Sequence, residues 1–454
     1  MKFSASACVV TFLCAISVSA VGAQAPALAP HGLAQFEALF SEEPQPAMSG
    51  PAMTLDEVER IAMEANPEIT VAVRRVAADE AHIPAAGALD DPVAMYRGWG
   101  VPLSQPWNLN QAQNMFSLSQ ALPGVGKRAL RTSIAQSDVD VAKAQLAEVR
   151  LEVQVRVRKA FDNLLLANEE MKIHREHLGI ARQAIEAARI KYAVGKASQQ
   201  DILKAQVALT ALAEHLIRFD RDAGLAQARL NTLMGRDAAA PLNVRGHFAV
   251  LAALPAAKSL EELALRSRPD LLASRDAAIR SHKQETLAKK AYTPDFTVSG
   301  GYMLMQPSSK MRNSYMIEGS MTLPWLNRRK NNADIAEAAA RATEQDAELN
   351  DVRVAAFGQI QEALVEAQSA QRLARMYQNQ LRPQAEATLQ SSVIAYENGK
   401  TDLLNLLDSQ MTVINVDLAW LQSMEDFDAR LADLELATGA PLNQFQQSAP
   451  EVKP

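Results

Sequence analysis

The sequence predicts a mainly α protein with a small membrane β-barrel component: a duplicated unit of long coiled-coil helices carrying four β-strands per chain. Three observations lead there. Landmarks repeat along the chain at a spacing of roughly 200 residues. Between them, apolar residues recur in alternating steps of three and four over stretches much longer than an ordinary helix. Two stretches between the helices switch to a period of two, with one apolar face.

From the N-terminus, Lys2, the mostly apolar run 9–18 and Val21-Gly22-Ala23 read as a cleaved signal peptide over 1–23, which places the mature chain outside the cytoplasm. Cys8 and Cys14 are the two cysteines of the chain and both fall in that segment. No thiol remains downstream for a disulfide, a thiolate metal site or a nucleophile. A Pro/Ala-rich linker follows over 24–52. The first repeat is expected over 53–240, an inter-repeat linker over 241–258, the second repeat over 259–440, and a tail over 441–454. Thr54-Leu55-Asp56-Glu57 opens a helical stretch of about 35 residues that passes through Asn66-Pro67, with Thr54 as N-cap. Ser259-Leu260-Glu261-Glu262 opens its counterpart through Arg268-Pro269, with Ser259 as N-cap. Leu122-Pro123 answers Leu323-Pro324, and Tyr192-Ala193-Val194-Gly195-Lys196 answers Tyr396-Glu397-Asn398-Gly399-Lys400. The repeats end alike at Leu233-Met234-Gly235 and Ala437-Thr438-Gly439.

A β-hairpin is expected at about 92–123 and another at about 292–326. Each is followed by a long helical hairpin, over 126–235 and 328–438. The first long helix carries a seam at Leu146, Val149, Val153, Val157, Ala160, Leu164, Ala167, Met171, His174, Leu178, Ala181, Ile185, Ala188 and Tyr192. Its return arm repeats the rhythm from Ile202 to Leu233, and the last helix from Leu404 to Leu421. At 1.5 Å per residue the first arm would run roughly 100 Å, the dimension of a rod or the wall of a tube.

In the strand stretches, Phe296, Val298, Gly300, Tyr302 and Leu304 alternate with small polar residues, as do Tyr315, Ile317, Gly319, Met321 and Leu323. Strands of about 10 residues with one apolar face can cross a bilayer when tilted. The two stretches hold three of the four Trp (Trp99, Trp107, Trp325) and four of the seven Tyr, rings that favour a membrane interface. Four strands cannot close a barrel and lipid tolerates no open edge, so other copies of the chain must complete it. By alternation Met115, Met303, Met305, Met316 and Glu318 lie on the polar face, which in a barrel lines the lumen. Thioethers there suit soft cations.

Charge and motif content narrow the function. A net charge of -6 opposes nucleic-acid binding. Gly124-Val125-Gly126-Lys127-Arg128 lacks the Ser/Thr of a phosphate-binding loop and reads as a strand-to-helix corner, with Lys127 and Arg128 at the lipid or channel surface. His174 and His177 have the i,i+3 spacing of a metal pair, but only His174 lies in the seam. No catalytic constellation stands out, so no enzyme, resident metal or cofactor is expected.

With the duplication, the Asn66-Pro67 and Arg268-Pro269 openings, the corner Gln120-Ala121-Leu122-Pro123-Gly124-Val125-Gly126-Lys127-Arg128 and the two Tyr-x-x-Gly turns, the chain resembles the TolC family of outer-membrane efflux proteins over residues 54–443. The resemblance implies a homotrimer in the outer membrane, with a twelve-stranded barrel in the lipid and a twelve-helix α-barrel tunnel in the periplasm. It implies a passive exit duct of a tripartite pump, fed by a periplasmic adaptor and an inner-membrane pump. The Leu122-Pro123-Gly124-x-Gly126-Lys127-Arg128 corner resembles the heavy-metal-exporting branch. Tyr192, Gly195, Lys196, Tyr396, Gly399 and Lys400 fall where family members meet the adaptor. Asp408 matches one of two acidic positions near the constriction, Asn405 stands at the other, and Asp402 and Asp201 lie one turn from the tips. Export of a polypeptide in a type I-like secretion system and a soluble periplasmic coiled-coil scaffold are the alternatives.

Overall fold

The computed structural model describes residues 50, 52–100, 103–104, 113–195, 198–304 and 314–442. The expected signal peptide, most of the linker behind it, Trp107, Lys196, Met305 and the tail beyond residue 442 lie outside the described residues.

The chain enters as strand β1 (Ala52–Met53) and helices α1 (Leu55–Ala65) and α2 (Pro67–Gly87). The expected single helix is thus two. Pro67 has no N–H to continue the ladder, and Asn66 takes extended dihedrals. Its side-chain oxygen then accepts from Glu68 and Ile69 N–H at 2.8 and 3.3 Å, capping the second helix. Thr54 caps the first through a capping box with Glu57. In the second repeat, α5 (Ala257–Ser267) starts before Ser259, which is therefore not its cap; Ala256 stands at that place without a side-chain bond. α6 (Pro269–Lys289) follows the break at Arg268.

Strands β2 (Val93–Trp99) and β3 (Gln113–Leu122) precede α3 (Lys127–Ala193), whose 67 residues span roughly 100 Å. After Gly195, α4 (Gln199–Leu233) returns along it. β4 (Asn243–Val244) pairs in parallel with β1, so short strands join the ends of the two linker segments. Behind α6 come β5 (Phe296–Leu304) and β6 (Ser314–Met321), then α7 (Arg328–Met376), a π-helical turn at Tyr377–Leu381, α8 (Arg382–Glu397) and α9 (Leu403–Thr438). The π turn interrupts the arm expected to be continuous. It lies just ahead of Pro383, whose missing N–H and bulky ring an unbroken α-helix cannot accommodate.

The seam read from the sequence is buried from Val153 to Ala188, as are Ala205, Leu209, Leu212, Phe219, Ala223, Ala226 and Leu230 on α4. At the tip the seam fades, and Tyr192 is exposed. Among the described residues two clusters form the core. One gathers Val58, Phe161, Leu164, Phe219 and Leu230, and the other Leu260, Ile360, Phe427 and Leu434.

The four long strands make one antiparallel sheet in the order β2-β3-β5-β6, so β2 and β6 are edges. Its connection to α3 is a tight corner. Asp295 Oδ1 accepts from Gly124 N–H at 2.6 Å and from Lys127 Nζ at 2.8 Å, and Gly126 takes φ 85°. Lys127 is buried and Arg128 donates to the Gly87 carbonyl at 2.8 Å. Lys127 thus braces the fold from within, whereas Arg128 is exposed, at a surface as expected, and bonded there.

Candidate functional site

Two surfaces gather the residues singled out by the sequence. The first is the pair of helical-hairpin tips. Gly195 and Gly399 take φ 70° and 67°, the left-handed conformation that lets each arm stop, and Gly399 N–H bonds back to the Tyr396 carbonyl at 3.1 Å. Beyond the first tip, Ser198 and Asp201 form a capping box: Asp201 N–H donates to Ser198 Oγ at 3.2 Å, and Ser198 N–H to the Asp201 carboxylate at 2.9 Å. Beyond the second, Asp402 is the N-cap of α9 and accepts from Asn405 N–H at 3.0 Å. Asp201 and Asp402 thus have structural duties at helix starts, where their charge also suits the helix dipole. Asn405 and Asp408 stand exposed on the first turns of α9.

The tips are joined across the chain. Lys191, near the end of α3, holds its ammonium 3.4 Å from the centroid of the Tyr396 ring on α8. An open cleft between the two turns is lined by Lys191, Asp201, Tyr396, Lys400, Asp402 and Asn405. The sequence placed Tyr396 at a tip but gave no sign of its contact with Lys191, because the seam rhythm says nothing about pairing between hairpins.

The second surface is the sheet. Register sets Tyr96, Phe116, Tyr302 and Tyr315 side by side across all four strands on one face. All four are exposed, with the Tyr96 and Phe116 rings 5.1 Å apart. Nearer the helices the same face carries Leu118, Ile317, Leu122, Phe296 and Met321. From Phe116 to Leu122 this apolar band is about 20 Å tall. On the opposite face Arg97, Met115, Met303 and Ser314 form one row; Met95, Ser117, Gly301 and Met316 the next; and Val93, Ser119, Ser299 and Glu318 a third. Met115, Met303, Met316 and Glu318 therefore share a face, joined by Met95, whose sulfur accepts from Arg97 at 3.6 Å.

The two histidines part company. His174 packs between α3 and α4 with its ring 5.2 Å from His215 and 4.8 Å from Phe219. Burial pushes it down to about 4. His177 meets the charge of Asp417 on α9 instead, and burial lowers it too. Among the described residues no group of three or more His, Cys, Asp and Glu side chains is placed to hold a metal ion. No helix of the described residues is long and apolar enough to cross a membrane.

The comparisons agree with this architecture. A family model for the outer membrane efflux protein matches residues 60–236 and 260–440. The chain is 26% identical over 296 residues to the cobalt-zinc-cadmium resistance protein CzcC of Cupriavidus metallidurans, covering 65% of this chain and 70% of that one. It is 24% identical over 352 residues to nodulation protein T of Rhizobium leguminosarum bv. trifolii, covering 75% and 74%. To the nickel-cobalt-cadmium resistance protein NccC of Alcaligenes xylosoxydans xylosoxydans it is 23% identical, covering 55% and 57%. The fold is shared with the outer-membrane channel OprN (TM-score 0.71, 18% identity, 87% of this chain and 91% of that one) and with CusC (TM-score 0.72, 17% identity, 85% and 92%). With both repeats matched by the family model, the chain belongs to the outer membrane efflux protein family, a family of channels.

Proposed function

We propose that this chain is the exit duct of a tripartite pump that expels heavy-metal cations. Three copies share a twelve-stranded barrel in the outer membrane and a twelve-helix tunnel in the periplasm. A periplasmic adaptor docks at the tips around Tyr192, Gly195, Lys196, Tyr396, Gly399 and Lys400, and an inner-membrane pump supplies the energy. The observation that carries the reading is the sheet: an apolar face with an aromatic row, a polar opposite face, and two open edges on one four-stranded piece. Lipid tolerates such a face but not such edges, so the sheet needs further copies to close.

The polar face then lines the lumen with Met95, Met115, Met303, Met316 and Glu318. Thioether and carboxylate groups are compatible with passing metal cations. At the periplasmic mouth, Asp408, Asp402 and Asp201 from three chains make rings that attract cations, with the neutral Asn405 lowering the charge beside Asp408. Lys191 on Tyr396 holds the tips together, and an adaptor opens them only by binding the splayed arrangement better. Two relatives with metals in their names, CzcC and NccC, support the cargo.

Fractionation with a native mass of the extracted protein tests the duct: outer-membrane trimers support it, and a periplasmic monomer contradicts it. Deleting the gene should lower tolerance to cobalt, zinc or cadmium. Unchanged metal tolerance with retained outer-membrane trimers would leave the duct and reject the cargo.

A further inference from the structure

Away from both surfaces, the seam where α3 packs on α9 holds two buried acids, each with an unpartnered oxygen. Asp162 of α3 is 4% exposed and Asp428 of α9 is 3% exposed, within a single chain, so no assembly can uncover them. Asp162 Oδ2 and Asp428 Oδ1 have no hydrogen-bond partner among the described residues. The other Asp428 oxygen accepts from Ala249 N–H at 2.8 Å, which ties the segment after β4 to α9. The cations of the seam are committed elsewhere. Arg158 donates to Glu435 at 2.8 Å, Lys159 to Asp433 at 2.5 Å, and Arg430 to Glu366 and Asp426 at 2.9 and 3.1 Å. Glu59 from α1 and Glu425 from α9 add further negative charge.

Two ionised carboxylates cannot share a dry seam without a counter-charge. The described residues bring no set of three metal-ligating side chains together there, which leaves the proton as the neutralising particle. We propose that Asp162 and Asp428 form a proton-binding site whose proton locks α9 to α3. The lock sits on the same helix as Asp408, 20 residues along it and thus about 30 Å from that residue. Losing the proton sets like charges against each other across the seam and frees α9, so the lock would make the tips responsive to pH. The inference goes beyond the duct reading and requires only that α3 and α9 pack as they do.

The energetics agree. Burial, then the charge of Asp428, then those of Glu425 and Glu59 push Asp162 up to about 8 against the pull of Arg158. Burial pushes Asp428 up to about 6, with Glu435 adding to it and Ala249 N–H and Arg158 opposing. A carboxyl whose folded value lies above its unfolded one favours the fold at low pH. That advantage is lost as pH rises through the folded value.

Infrared spectroscopy of the purified full-length protein reads the proton directly. A band of protonated carboxylic acid should be present at neutral pH, titrate near about pH 8, and vanish in Asp162→Asn. Asp428→Asn, which removes the like charge, should move that titration downward. As pH rises from neutral through about 8, the melting temperature should fall for the natural chain and stay level for Asp162→Asn. No band at neutral pH, or a band unmoved by either variant, overturns the proposal. So does a stoichiometric metal ion in the purified protein that Asp162→Asn loses, since a cation would then do the neutralising.

Discussion

Lys191 and Tyr396 join the two hairpin tips through a single pair of side chains. An ammonium 3.4 Å from a ring centroid at a solvent-facing tip contributes about 0.5–1 kcal/mol, or roughly two- to fivefold in an equilibrium. Tyr396→Ala should therefore raise the open probability of the channel in a planar bilayer by about that factor per chain, and Lys191→Arg should preserve the closed state. An unchanged open probability in Tyr396→Ala would show that the contact holds nothing. His174 gives a pH prediction of opposite sense to the acid pair. Its buried ring is held neutral, with a folded value pushed down to about 4. The stability it contributes is present above the ordinary value near 6.5 and is lost as pH falls toward about 4. His174→Gln should flatten the acid limb of the melting-temperature profile, measured between about pH 7 and about pH 4.

Helices and their breaks are the next scale, and here the sequence was informative for a definable reason. A seam stepping by three and four marks where one helix meets one partner, and α3 buries those positions from Val153 to Ala188. But α3 also packs on α2, α6 and α9. Asp162 falls between the seam residues Ala160 and Leu164, on a stripe that only those extra partners cover, so a two-helix reading leaves it in solvent. The breaks at Pro67 and Pro269 were legible only as landmarks inside one helix. The π turn before Pro383 was not legible, because its cause is tertiary as well as local. Arg382 bonds Asp417 at 2.7 Å and lies 4.1 Å over the Trp420 ring, pinning α8 to α9 just past the turn. At the far end of α9, Gly439 takes φ 77°, and an added Cβ would stand 2.4 Å from Arg268 Cα. Gly439→Ala should cost at least about 1–3 kcal/mol, read as a lower melting temperature. An unchanged value would mean that the α5–α6 junction gives way easily.

The whole molecule is half of an argument that only other copies can finish. That Met115, Met303, Met316 and Glu318 share one face was legible because a period of two assigns faces whatever the register. Met95 was missed because β2, seven residues long, has no clear alternation of its own; only its pairing with β3 places it. Asp201, Asp402, Asn405 and Asp408 could be placed near the tips, but not that Asp201 and Asp402 cap helices there. What no single chain can display is closure of the barrel, and the edges β2 and β6 are where closure would occur. The chain has no cysteine after Cys14, so introduced pairs report cleanly.

The most direct measurement is a disulfide scan across those edges in intact outer membranes. Ala94→Cys on β2 is combined in turn with Tyr315→Cys, Ile317→Cys and Gly319→Cys on β6, all on the apolar face. In a closed barrel of three chains, at least one pair should oxidise to a covalent trimer that collapses to monomer on reduction. If every pair stays monomeric while the chain is folded and present in the membrane, the edges do not meet and the shared barrel is wrong.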